Sequence, residues 1–174
     1  MNIVLLGYRG SGKTTVGKKL AMQLWKDFVD TDDLVRKRFN GASIADIWQQ
    51  HGEPAFREAE CAVVAELMEK PDQVIALGGG SVMQPAAREA IEQATDAVRI
   101  YLQCDPPVLL QRLEADAATR ADRPSLTNGG DTLSEIETVL AERDPVYRAV
   151  ADHVLDVTRL QPDDAARHLI HRCL

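Results

Sequence analysis

A chain of 174 residues with 45% hydrophobic content is sized for one domain with a real core. Its formal charge of −7 argues against a nucleic-acid surface, which needs a basic face, but leaves room for a small anion held by a few arginines. Cys61, Cys104 and Cys173 are widely spaced and form no C-x-x-C pair, so reduced thiols are expected, with neither a disulfide framework nor a zinc site.

The opening "MNIVLLG" is too short an apolar run for a signal peptide or a membrane span, and the cytoplasm is the expected compartment. Asn2 to Leu6 predicts a buried strand, followed by a loop and a helix that carries Val16, Leu20 and Leu24 on one face. "FVD", 28 to 30, predicts a short strand, and helical sequence runs from Asp33 to Phe39. "SIADIWQQHG" opens on a capping signal, Ser43 with Asp46, and closes on Gly52; a helix from Pro54 to about Glu69 then leads into a strand at Val74 to Leu77. Another helix, near 85 to 92, precedes a strand at Ala97 to Leu102, and "PPVLLQRLEA" restarts a helix. Residues 115 to 132 have little apolar content and carry Pro, Asn and Gly-Gly, which predicts a flap within the domain. A helix from Leu133 to Asp144 is expected to end there because Pro145 disfavours helical geometry before it. A strand at His153 to Val157 and a helix from Pro162 complete the chain. Strands that alternate with helices predict a parallel sheet with helices on both faces, and such sheets bind ligands outside the carboxyl ends of their strands.

Two glycine-rich loops follow strands. "GYRGSGKT", Gly7 to Thr14, fits G-x-x-x-x-G-K-[ST] between a buried strand and an amphipathic helix. Its backbone N–H groups can wrap a phosphate, with Lys13 reaching the β- and γ-phosphates and the Thr14 hydroxyl holding Mg²⁺. Tyr8 and Arg9, in the variable part of this loop, have no assigned role. The second loop, "VIALGGGSV", sets Gly78, Gly79 and Gly80 in a row, a composition that marks close approach of main chain to something.

"VDTDD" puts Asp30 at a strand's carboxyl end, where it can hold a metal through water. Asp32 is either a helix cap or a functional carboxylate. Arg57 shares an apolar stripe with Cys61, Val64 and Met68, and Arg143 one with Ile136, Val139 and Leu140. A guanidinium on an apolar face needs an anion, either a ligand's carboxylate or phosphate or an internal partner such as Glu58, Glu60 or Glu142. Arg120 and Arg123 lie in the flap. They are solvated charge, or one of them closes onto a phosphate donor, with Arg123 favoured because Pro124 fixes its direction. His51, His153, His168 and His171 match no catalytic pattern.

Taken together, "GYRGSGKTTVGKKLA", "FVDTDDLV", "SIADIWQQHGEPAFREAE", "VIALGGGSV", "RPSL" and "ERDPVYRAVAD" resemble the shikimate kinase family in order and spacing, over nearly the whole chain. The resemblance implies a single α/β domain with the three-layer P-loop fold of nucleoside-monophosphate kinases. It has a five-stranded parallel sheet, a mobile lid at about 115–132 and a shikimate-binding region at about 32–62. It implies transfer of the γ-phosphoryl group of ATP, with Mg²⁺, to the 3-hydroxyl of shikimate in aromatic amino-acid biosynthesis. Gly10, Ser11, Gly12, Lys13, Thr14 and Thr15 would hold the nucleotide's phosphates, Arg112 would stack on adenine, and the turn near Arg159 would line the base. Thr14 and Asp30 would hold the metal. Asp32 would orient or deprotonate the attacking hydroxyl, Arg57 and Arg143 would clamp the carboxylate, and Gly78, Gly79 and Gly80 would present backbone to the ring hydroxyls. Lys13, Asp32 and Arg123 would be the catalytic residues of a monomer acting on neither nucleic acid nor membrane. A gluconate kinase of similar fold is the nearest rival. A GTP-dependent switch would show an N-K-x-D motif, which the sequence lacks.

Overall fold

Short apolar runs form five strands: β1 (Asn2–Leu6), β2 (Asp27–Asp30), β3 (Gln73–Ala76), β4 (Ala97–Gln103) and β5 (His153–Asp156). The computed structural model describes residues 1–116 and 132–173. Its helices are α1 (Lys13–Leu24), α2 (Thr31–Arg38), α3 (Ile44–Met68), α4 (Pro85–Gln93), α5 (Pro106–Ala115), α6 (Leu133–Val150) and α7 (Pro162–Arg172). One 3₁₀ turn, Ser81–Met83, follows the triple glycine and was not signalled by the sequence pattern. The strands pair in parallel in the order β2-β3-β1-β4-β5, with Val4 opposite Ile75 on one side and Arg99 on the other.

Every residue of β1 is buried, because it is the middle strand and helices cover both faces. Ile3 and Leu5 point into a core shared with α1, α5 and α7; Val4 and Leu6 point into the opposite core, with α2, α3 and α4. A parallel sheet sends all five carboxyl ends to one edge, so the loops after β1, β2 and β3 meet there.

The arms of α3 join at Gly52, whose φ of 82° and ψ of 159° break the helix. Ser43 caps the first arm by accepting from the Asp46 N–H at 3.0 Å, and Pro54 opens the second. The kink aims Trp48 and Arg57, one from each arm, at a shared space.

The helix expected to end at Asp144 instead runs through Pro145 to Val150. Proline inside a helix costs about 3 kcal/mol. Beyond it, however, Tyr147 and Val150 are buried against the α2–α4 side, each contributing about 1.5–3 kcal/mol. Earlier in α6, Ile136 and Val139 pack into the other core. The helix spans both cores, and their burial outweighs the proline.

Asn2 stands at the amino edge of the sheet, away from these loops. Its side chain donates to Lys70 O at 2.6 Å and accepts from the Gln73 N–H at 3.0 Å, latching the turn from α3 to β3. Removing a buried amide that satisfies two backbone groups costs about 1–3 kcal/mol. Asn2→Ala should lower the urea midpoint correspondingly and leave turnover unchanged below the unfolding transition.

Candidate active site

The loop after β1 folds back over its own lysine. Gly12 caps α1, and the Lys13 amine donates to the carbonyls of Gly7 at 2.8 Å and Tyr8 at 2.9 Å. Gly10, Gly12, Lys13, Thr14 and Thr15 border a cavity of about 480 Å³ whose lining also includes Arg112, Leu160 and Gln161. Ser11 is buried and lies off this lining. The Arg112 guanidinium donates to Val157 O at 2.9 Å. Arg159 is exposed and does not border the cavity, although the turn it belongs to does.

Asp30, not Asp32, is the helix cap that "VDTDD" supplies. It caps α2, accepting the Asp32 N–H at 3.0 Å with one oxygen. The other accepts from the Thr14 hydroxyl at 2.8 Å. Asp32 is therefore not the cap; its side chain is buried in the first turn of α2 and faces the glycine loop. Thr14 and Asp30 bring two hard oxygen donors together on the cavity border, a donor set that suits Mg²⁺.

Two of the three glycines, Gly78 and Gly80, are crowded by what lies beneath them. A Cβ on Gly78 would stand 2.7 Å from both Asp32 Oδ1 and Glu60 Oε1, and one on Gly80 would stand 2.9 Å from an Arg57 nitrogen. Glu60 is 1% exposed; it accepts from the Ser81 hydroxyl at 2.7 Å and from Arg57 at 2.8 Å. Arg57 also donates to Glu53 at 3.1 Å and lies over the rings of Trp48 and Phe56. Burial works against the Arg57 charge, but Glu60 and then Glu53 more than offset it, holding its pKa above the ordinary arginine value. Glu60, one of the internal partners the sequence allowed, thus organises the guanidinium.

Arg143 makes no ion pair among the described residues and donates to Gly79 O at 3.0 Å, and the Tyr147 hydroxyl donates to the same carbonyl. With that carbonyl engaged, Gly79 has its N–H to offer. Arg57, Arg143, Trp48, Phe56 and the three glycines border a second, smaller cavity of about 70 Å³. Asp32 and Gly79 border both cavities. Arg120 and Arg123, with most of the expected lid, lie outside the described residues. Glu60, Tyr147 and Trp48 lie inside segments that carry the family resemblance, but sequence reasoning assigns a role only to Glu60, as one of three candidate internal partners for a guanidinium.

A model of the shikimate kinase family matches residues 9–174. The chain belongs to the shikimate kinase family. Curated shikimate kinases of Caldanaerobacter subterraneus and Rhodopirellula baltica are 40% and 39% identical to it, over 97% and 94% of this chain and 94% and 85% of theirs. The solved structure "Shikimate kinase from Acinetobacter baumannii in complex with shikimate" superposes with a TM-score of 0.87 at 34% identity, over 98% of this chain and 90% of that one. A gluconokinase from Sinorhizobium meliloti, at a TM-score of 0.56 and 17% identity, shares the fold alone.

Two outcomes test this shikimate kinase site. Gly78→Ala drives a methyl group against two buried carboxylates and should lower kcat/KM by at least about 10²-fold, because misplacement of about 1 Å at such a site has that effect. Tyr147 gives a pH signature: burial pushes its phenol from 10 up to about 12, against the opposing pull of Arg143. A raised folded-state value stabilises fully below the unfolded one and is lost as pH climbs through the folded one. Between pH 9 and 11.5, urea titrations should show wild type losing about 2 kcal/mol more than Tyr147→Phe.

Proposed function

We propose that this chain transfers the γ-phosphoryl group of ATP to the 3-hydroxyl of shikimate, giving shikimate 3-phosphate and ADP for aromatic amino-acid biosynthesis. One observation carries the assignment of roles: the Asp32 carboxylate borders both the cavity beside the phosphate loop and the cavity beside the arginine pair. A base at that junction reaches an acceptor hydroxyl while facing the donor's terminal phosphate.

Phosphoryl transfer asks for alignment and charge more than for covalent chemistry. The loop from Gly10 to Thr15 cradles the triphosphate, and Lys13 leaves the loop carbonyls to reach its β- and γ-oxygens. Arg112 and the turn beside Arg159 flank the base. Thr14 and Asp30 would hold Mg²⁺, which would supply charge neutralisation at the nucleotide's phosphates. Arg123 adds its positive charge to that neutralisation. Arg57 and Arg143 take the carboxylate of shikimate, and the N–H of Gly79 meets a ring hydroxyl while Gly78 and Gly80 keep the loop low. Asp32 aligns the 3-hydroxyl and accepts its proton. The enzyme works as a monomer in the cytoplasm, where ATP and Mg²⁺ are supplied, and its net charge of −7 suits a small-molecule acceptor better than a nucleic acid.

An assay of ADP release with ATP and Mg²⁺ should respond to shikimate and not to gluconate. Release indifferent to acceptor, or confined to gluconate, contradicts the reading. Arg143→Ala should raise the shikimate KM by the equivalent of roughly 2–5 kcal/mol while leaving the ATP KM near its normal value. Arg57→Ala should do the same and also destabilise the fold, because Glu60 is left as a buried carboxylate without its cation. Asp32→Asn should bind shikimate and lose turnover; near-normal kcat would remove Asp32 from the chemistry.

A further inference from the structure

Arg9 sits in the variable part of the phosphate loop, yet it is 7% exposed and its guanidinium lies 3.9 Å from a Glu135 carboxylate oxygen. Glu135 is 5% exposed and occupies the first turn of α6, where Thr132 caps its N–H at 3.2 Å. Neither Glu135 carboxylate oxygen accepts a hydrogen bond from any described residue. An isolated buried carboxylate is costly, and Arg9 supplies its countercharge. At 3.9 Å the contact is longer than a charge-assisted hydrogen bond of about 2.7–2.9 Å. A buried ion pair of this kind is a poor stabiliser, since apolar side chains of equal volume do as well or better. Stability alone therefore does not account for it.

Its location does. The two cavities share Arg9, Asp32 and Gly79 as lining residues. Lys13 and Arg112 border only the cavity beside the phosphate loop; Arg57 and Arg143 border only the other. Among the described residues, Arg9 is the one cationic side chain on the border of both. The Arg9 main chain also abuts the second glycine loop, its N atom lying 3.4 Å from where a Gly79 Cβ would be.

We propose that Arg9 is a further catalytic residue whose guanidinium meets the phosphoryl group in transit, and that Glu135 is the positioning residue that holds it at the junction. This rests on the phosphoryl-transfer reading above. In the step, the bond from the γ-phosphorus to the β–γ bridging oxygen breaks and its electron pair leaves on ADP. A bond from the acceptor oxygen to phosphorus forms, and the hydroxyl proton passes to Asp32. Arg9 makes and breaks no covalent bond; it offsets the charge on the oxygens that travel.

The test is steady-state kinetics with both substrates varied, alongside thermal unfolding, on Glu135→Gln, Arg9→Lys and the double variant Arg9→Met/Glu135→Gln. The double variant removes both buried charges together and so leaves no orphaned carboxylate. Its kcat should fall about 10²-fold while both KM values stay within about threefold, as expected when one preorganised donor is removed. Glu135→Gln keeps the guanidinium but loosens it, and should lower kcat about tenfold with KM unchanged; Arg9→Lys should retain about tenfold more kcat than the double variant. Wild-type kcat in Glu135→Gln overturns the positioning role, whatever the melting temperature. Wild-type kcat in the double variant, or a rise in KM with kcat intact, overturns the catalytic role. Absence of shikimate-dependent ADP release in the wild-type protein would instead be a failure of the functional reading, seen before any variant is made.

Discussion

A Cβ at position 78 or 80 would displace the charged groups of the site, because the loop after β3 lies directly on the carboxylates of Asp32 and Glu60 and the guanidinium of Arg57. Much of the site depends on that close approach. It lets Gly79 present its carbonyl to Arg143 and Tyr147, which fixes the second half of α6. It also sets the floor of the smaller cavity beside the two arginines. The two glycine-rich loops thus answer different demands: the first wraps its own lysine beside the larger cavity, and the second lowers main chain onto buried charge.

The charges themselves are arranged against the protein's net sign. A chain of −7 gathers Arg9, Lys13, Arg57, Arg112 and Arg143 around its two cavities and holds two of them in place with acids. Glu60 does this for Arg57 and Glu135 for Arg9. Each acid is costly to bury and tolerable only beside its guanidinium. Arg143 is held by a backbone carbonyl, which orients it and leaves its charge uncompensated among the described residues. An anion entering beside Arg143 would meet a cation that pairs with no carboxylate of the described residues.

The element pattern, the phosphate loop, the acidic pair after β2 and the triple glycine were readable because each has a local signature. Periodicity marked the strands but not their order, which is a matter of crossover connections between distant segments. Pro145 misled because a local rule, that helices stop before proline, lost to the burial of Tyr147 and Val150 on the far core. The apolar stripe identified Arg57 as a half-buried cation; it has an internal partner in Glu60 and also borders a cavity. Arg9 and Glu135 are 126 positions apart, and nothing in the spacing of either announces a buried pair. Asp30 rather than Asp32 capping α2 was likewise invisible, since "DTD" offers two carboxylates to one N-terminus and only tertiary contact with Thr14 decides between them.

The central claim is that the space bordered by Trp48, Arg57, the glycines and Arg143 receives the acceptor independently of the nucleotide. Trp48 lies over the Arg57 guanidinium at that cavity, while the other tryptophan, Trp25, is 96% exposed and lies outside its lining. Fluorescence of a Trp25→Phe variant, titrated with shikimate in the absence of nucleotide, therefore reads the acceptor site alone. A saturable change that Arg143→Ala weakens is the predicted result. A signal that responds to ADP and not to shikimate would contradict the assignment of the two sites.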